Sequence, residues 1–237
     1  MCGIIFIENY RCGIIMKYDL SRTKSNHNTN LALYGGVGVF GVPQILPETE
    51  FDVDTEFVAF NYAMGDKKRE KHGVHFFVDD YQFDRVWNQP EKYISMFKQY
   101  KYVLSPDFSM YTDWPKAIQI YNHYRKHWVA AYLQECGVKV IPTVGWSDES
   151  SFEWCFDGEP RESIVAVCSR GCANSKANIE AFNKGFLAMM KTLNPTKVLC
   201  FGKHMDIYNM FGDRIVMVSD NYSTRLGNLK NYNKKEK

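Results

Sequence analysis

From residue 74 onward the chain repeats one pattern, a short run of β-branched or aromatic residues followed by a stretch of helical character. The runs fall at 74–79, 101–106, 138–144, 163–168, 197–202 and 214–219. Strands that alternate with helices pair in parallel, because each crossover returns the chain to the same end of the sheet before the next strand begins. This pattern predicts an α/β fold of mainly parallel strands, either an irregular barrel-like closure or an open wound sheet. Two earlier runs, 37–46 and 57–62, read as further strands, and the intervals 148–160 and 205–211 are short for crossover helices. An irregular barrel is the preferred reading.

Two long helices are expected. Over 114–136, Ile118, Tyr121, Trp128, Tyr132 and Leu133 recur near one face, and Gly137 supplies the stop. Over 176–193, Ile179, Phe182, Phe186, Leu187 and Met190 do the same before Asn194-Pro195. Both stripes read as core faces.

The 237 residues, 45% of them hydrophobic, suffice for one large core, so 31–223 is read as a single α/β domain. Residues 1–30 read as a strand pair or cap, and 224–237 as a basic flexible tail that folding does not need. In that tail Arg225, Lys230, Lys234, Lys235 and Lys237 face Glu236 alone. No apolar run reaches the roughly 18 residues that span a bilayer, and the first residues do not read as a signal peptide. The expected location is the cytoplasm, with no membrane partner. Seven cysteines scattered among strands and helices point to reduced thiols, Cys168 and Cys172 included.

In α/β folds ligands collect at the C-terminal ends of strands, where loops vary and helix N-termini offer unpaired N–H groups. Asp79-Asp80, Asp107, Gly145-Trp146-Ser147-Asp148, Ser169-Arg170-Gly171, Gly202-Lys203-His204 and Ser219-Asp220-Asn221 all fall there. Asp80, Asp107 and Asp148 are the candidate catalytic carboxylates, as acid–base groups or as ligands for Mg2+. Aspartates also cap helices and make turns at such loops. Asp107 and Asp148, which follow successive strands, are expected to face one pocket. Ser169, Arg170, Gly171, Lys176 and Lys203 combine glycine, positive charge and a helix start, a set suited to phosphate but without Walker spacing. Trp146 is the candidate for stacking a base or sugar ring.

Several motifs occur in order: Phe40-Gly41-Val42-Pro43, Phe76-Phe77-Val78-Asp79-Asp80, Ser105-Pro106-Asp107-Phe108-Ser109 and Gln119-Ile120-Tyr121-Asn122 with Tyr124-Arg125. They continue with Val140-Ile141-Pro142-Thr143-Val144 followed by Trp146, then Phe156-Asp157-Gly158 before Ser163-Ile164-Val165-Ala166. Together they resemble the bacterial and phage family known as domain of unknown function 4417, from about residue 31 to 203. Trp146-Ser147-Asp148 stands where that family has Trp-Gly-Asp. The resemblance carries no activity. It implies a phage or mobile-element context in a bacterial host cell, and a shared site for Asp107, Trp146 and Asp148.

Three functions follow from this reading. One is an enzyme on a phosphorylated substrate, a nucleotide or nucleic acid. Another is a non-catalytic nucleic-acid-binding protein of replication or mobile-element maintenance, using the basic tail and the Lys67-Lys68-Arg69 loop. The third is an interaction protein that inhibits a host factor.

Overall fold

The computed structural model describes residues 15–17, 26–28, 31–33 and 36–218. Strands β1 (Ile15–Lys17) and β2 (Leu31–Leu33) pair antiparallel. The rest of the expected N-terminal cap, the basic tail and Ser219-Asp220-Asn221 lie outside the described residues.

The body holds parallel strands β3 (Glu56–Ala59), β4 (His72–His75), β5 (Tyr102–Leu104) and β6 (Val140–Ile141) in one sheet. Strands β7 (Ile164–Cys168), β8 (Lys197–Phe201) and β9 (Ile215–Met217) form a second. A single parallel bridge, Thr143 to Ala166, joins the two in sequential order. Its hydrogen bonds run from Val144 N–H to the Ala166 carbonyl and from Ala166 N–H to the Pro142 carbonyl, both at 2.8 Å.

The helices are α1 (Phe60–Ala63), α2 (Asp84–Asn88), α3 (Ile94–Phe97), α4 (Lys116–Glu135) and α5 (Lys176–Leu193). Short 3-10 turns, Glu149–Glu153 and Asp206–Met210, stand in for helices after β6 and β8. The expected strand at 57–62 ends at Ala59 and continues as α1. The expected strand at 37–46 is instead a small turn closed by Val37 and Val42, followed by chain without regular secondary structure.

Side chains alternate between the two faces of the sheet, as the period of a strand requires. Val103, Val140 and Val58 face a cluster built on α2, α3 and α4, and Val165, Val167, Val198 and Cys200 face one built on α5. Phe57, Tyr102, Leu104, Ile141, Ile164, Ala166, Leu199 and Phe201 face the other way and share a third cluster. Burial on both faces explains the near-continuous apolar strands.

The third cluster also shows that the sheet curls. Phe57 on β3 meets Phe201 on β8 edge-on, with ring centroids 5.3 Å apart. A flat sheet would hold those strands about 24 Å apart, five steps of roughly 4.8 Å. Closure stops short: no ladder joins β3 to β9 among the described residues. The open alternative therefore holds over the preferred barrel. Gly73 leaves the space that the Phe57 ring fills, since a Cβ there would sit 2.4 Å from it. Phe51 packs on Phe57 and Tyr102 near the N-terminal strand ends. The C-terminal ends carry the clefts described next.

The helix stripes need correction. On α4, Trp128, Tyr132 and Leu133 are buried, but Ile118 is exposed; on α5, Phe182, Phe186 and Met190 are buried, but Ile179 and Leu187 are exposed. The buried face of α4 also takes Gln119, Asn122, His123, Lys126 and His127. Among the described residues no helix is long and apolar enough to cross a membrane.

Candidate functional site

Two adjoining clefts open at the C-terminal ends of β4 to β7, with volumes of about 370 and 260 Å³. Both are lined by Asp107, Ser109, Tyr111, Cys168 and Arg170. Phe77 to Asp80 and Gly171 complete the larger cleft; Gly145, Trp146, Cys172 and Phe182 are among the residues that complete the smaller.

Asp107 is placed by the end of β5. The Ser105 hydroxyl accepts from Thr143 N–H at 2.7 Å, and the Thr143 hydroxyl donates to the Ser105 carbonyl at 2.9 Å. This double tie fixes β5 to the end of β6, and the chain then turns Asp107 toward the clefts. Its carboxylate has no hydrogen-bond partner among the described residues. Burial pushes its pKa up to about 7; Lys126 pulls against the rise, Asp80 adds to it and Arg170 opposes it.

Asp80 spends its oxygens differently. One accepts from Ser109 N–H at 3.1 Å and the other from the Ser109 hydroxyl at 2.8 Å. Asn122 on α4 holds the same residue from behind by donating to its carbonyl at 2.6 Å. Arg125 donates to Asn122 and Asp84 while its guanidinium lies 3.9 Å from the centre of the Phe108 ring. The loop bearing Asp107 is thus fixed on several sides.

Arg170 follows β7 and donates to the Phe77 carbonyl at 2.7 Å, so its positive charge lies across the larger cleft. Gly171 lines that cleft at φ 81°, and a Cβ there would meet nothing within 4 Å. Ser169 is buried, and its hydroxyl donates to the Lys203 carbonyl at 2.7 Å, tying β7 to β8. Gly202 is required beside it: its φ is 91°, and a Cβ would lie 2.7 Å from the Ser169 hydroxyl. Lys176 opens α5 and Lys203 follows Gly202; both side chains are exposed and neither lines these clefts.

Asp148 also lines neither cleft. It is exposed and caps the turn Glu149–Glu153, accepting from Ser150 N–H at 2.9 Å. The Ser150 hydroxyl and N–H hold its pKa below the usual carboxylate range. Trp146 lines the smaller cleft with its ring against Phe182, centroids 5.4 Å apart. Its indole also lies over Gly185 on α5, where a Cβ would sit 2.1 Å from the ring nitrogen. Of the expected residues, the structure brings Asp80, Asp107, Arg170, Gly171 and Trp146 together. It leaves Asp148, Lys176 and Lys203 outside.

Among the described residues no three His, Cys, Asp or Glu side chains converge as a metal site. The cleft thiols are held protonated at neutral pH, since burial pushes Cys168 up to about 12 and raises Cys172. The Lys67-Lys68-Arg69 loop precedes β4, at the opposite end of the strands, and Arg69 donates to the Met64 carbonyl and Gln99.

Sequence reasoning missed the polar face of α4. Gln119, Asn122, His123, Lys126 and His127 are spaced as one helical stripe, and all are buried. Lys126 donates to Glu159 at 2.5 Å and to the Thr143 carbonyl at 3.0 Å, with His127 3.2 Å from the same Glu159 oxygen. That spacing was a usable signal, because polar side chains at a helix's core positions need partners.

The family described as Domain of unknown function (DUF4417) matches residues 34–219. The Gene 1 protein of Mycobacterium phage L5 is 38% identical over 171 residues, which cover 70% of this chain and 74% of that protein. The Gene 1 protein of Mycobacterium phage D29 is 32% identical over 171 residues, 69% of this chain and 61% of that protein. No solved structure matches the chain.

Proposed function

The chain belongs to the DUF4417 family, which has mycobacteriophage members and whose description names no activity, and from that premise we propose an acid–base enzyme acting on a phosphate-bearing substrate. One observation carries this reading: Asp107 stands in a cleft at the C-terminal strand ends, without a hydrogen-bond partner among the described residues, beside the positive charge of Arg170. With its pKa near 7, the carboxyl is populated in both forms at neutral pH, as proton transfer to or from a substrate requires. Arg170 is the partner for the substrate's anionic group, and Asp80 positions the loop through Ser109. A Mg2+ ion would have to share its coordination between the Asp80 or Asp107 carboxylates and substrate oxygens.

The two charges are coupled. An anion at Arg170 cancels the pull that Arg170 exerts on Asp107, so binding favours the protonated carboxyl. Affinity should therefore fall as the pH rises through about 7. Sulfate, fully ionised throughout this range, is the suitable probe for calorimetry at pH 6 and pH 8. Wild type is expected to bind more weakly at pH 8, Asp107→Asn equally at both, and Arg170→Ala roughly ten- to a hundredfold more weakly at pH 6. A wild-type affinity that ignores pH, or an Arg170→Ala variant that binds as tightly as wild type, overturns the proposal.

A further inference from the structure

We infer that the lip of the cleft carries a stacking platform for an unpaired nucleobase, with Tyr111 as the ring that receives it and Trp114 as its brace. The inference rests on the anion-binding reading of the same cleft and narrows its substrate to a nucleotide unit.

Tyr111 lines both clefts, yet it is 58% exposed; Trp114 is 37% exposed and meets it edge-on, with ring centroids 4.9 Å apart at 72°. Singly exposed aromatics are ordinary on protein surfaces. These two are held in place. The buried amide of Gln119 donates to the Tyr111 carbonyl and to the Trp114 carbonyl, each at 3.0 Å. Two residues upstream, Ser109 is clamped by Asp80 and Asn122. These bonds fix the backbone that carries the two rings, and the edge-on contact with Trp114 braces the Tyr111 ring itself, which limits the conformational freedom lost when a ligand lands on it.

The neighbouring charge indicates what lands. Arg170 and Tyr111 line the same cleft of about 370 Å³, a size that suits a small ligand. A ligand with its phosphate at Arg170 and a flat ring on Tyr111 has the chemistry of a nucleotide. Stacking is sequence-tolerant, because every base presents a π face. Trp146 is the poorer platform, since Phe182 and Gly185 already occupy its surroundings.

The unit could be a free nucleotide or one residue of a single strand, and the test separates the two. Calorimetry compares AMP, ribose 5-phosphate and a ten-nucleotide oligo-dT on wild type, Tyr111→Leu and Tyr111→Phe. Wild type should bind AMP roughly ten- to a hundredfold more tightly than ribose 5-phosphate. Tyr111→Leu should erase that ratio while keeping the ribose 5-phosphate affinity, and Tyr111→Phe should preserve it. Tighter binding of oligo-dT than of AMP supports the platform on a strand; equal or weaker binding supports it for free nucleotides. Equal affinities for AMP and ribose 5-phosphate in wild type overturn the platform and leave the anion site standing. No binding of any probe, sulfate included, overturns both. Unchanged melting temperatures of the two variants show that the fold is not what moved.

Discussion

Asp107 and Asp148 follow adjacent strands, yet the two carboxylates do opposite work. Asp148 is exposed, its charge is stabilised by the Ser150 hydroxyl and N–H, and it caps the start of the turn Glu149–Glu153 on the way to β7. Asp107 is half-buried without a hydrogen-bond partner among the described residues, so its charge is costly and its proton mobile near neutrality. The chemistry of a strand-end aspartate is thus set by what meets its oxygens. A satisfied carboxylate stabilises a turn; an unsatisfied one in a cleft is available to a ligand.

The largest expected effect removes Lys126, which bonds buried Glu159 and also pulls on Asp107. Lys126→Met leaves Glu159 buried with only His127 beside it, and should cost roughly 3–5 kcal/mol in denaturant melts. It should also raise the Asp107 pKa above about 7 while leaving Asp148 where it is. Equal movement of both would break the contrast.

A smaller effect compares the two aspartates in stability. The folded-state pKa of Asp107 lies above its ordinary value of 3.8, so ionising it opposes folding. That cost is absent below about pH 4, where the group is protonated folded and unfolded, grows as the pH rises, and is complete above about 7. Asp107→Asn should therefore stabilise the fold by about 2 kcal/mol at pH 8, with the gain vanishing toward pH 4. Asp148→Ala should do the reverse, losing about 1 kcal/mol of capping from pH 5 to pH 8. Thermal melts of both variants across pH check the signs.

Much of this architecture was legible beforehand. Short β-branched or aromatic runs bounded by loops marked all seven parallel strands, and Asn194, left-handed at φ 46°, ends α5 where Asn194-Pro195 predicts a stop. The curl of the sheet was not legible, because it comes from ring contacts such as Phe57 with Phe201, far apart in sequence. Asp80, Asp107 and Arg170 were legible as strand-end polar residues. Lys176 and Lys203 carry the same sequence signal but extend into solvent. Asp148 could not be told from Asp107 by position, since Ser150 decides its role. The polar stripe of α4 was not legible as a core face, because its buried residues are polar and only their partners, such as Glu159 and the Thr143 carbonyl, show that they face inward.

The central claim is that Asp107 titrates near neutrality, and carboxyl-carbon NMR of selectively labelled aspartate measures it directly, with Asp148 as the internal control. Asp107 is expected to titrate with a pKa of about 7 and Asp148 below 3.8, and Asp107→Asn should remove the high-pH transition. An Asp107 resonance that titrates near 4, alongside the other carboxylates, would contradict the acid–base role assigned to this cleft.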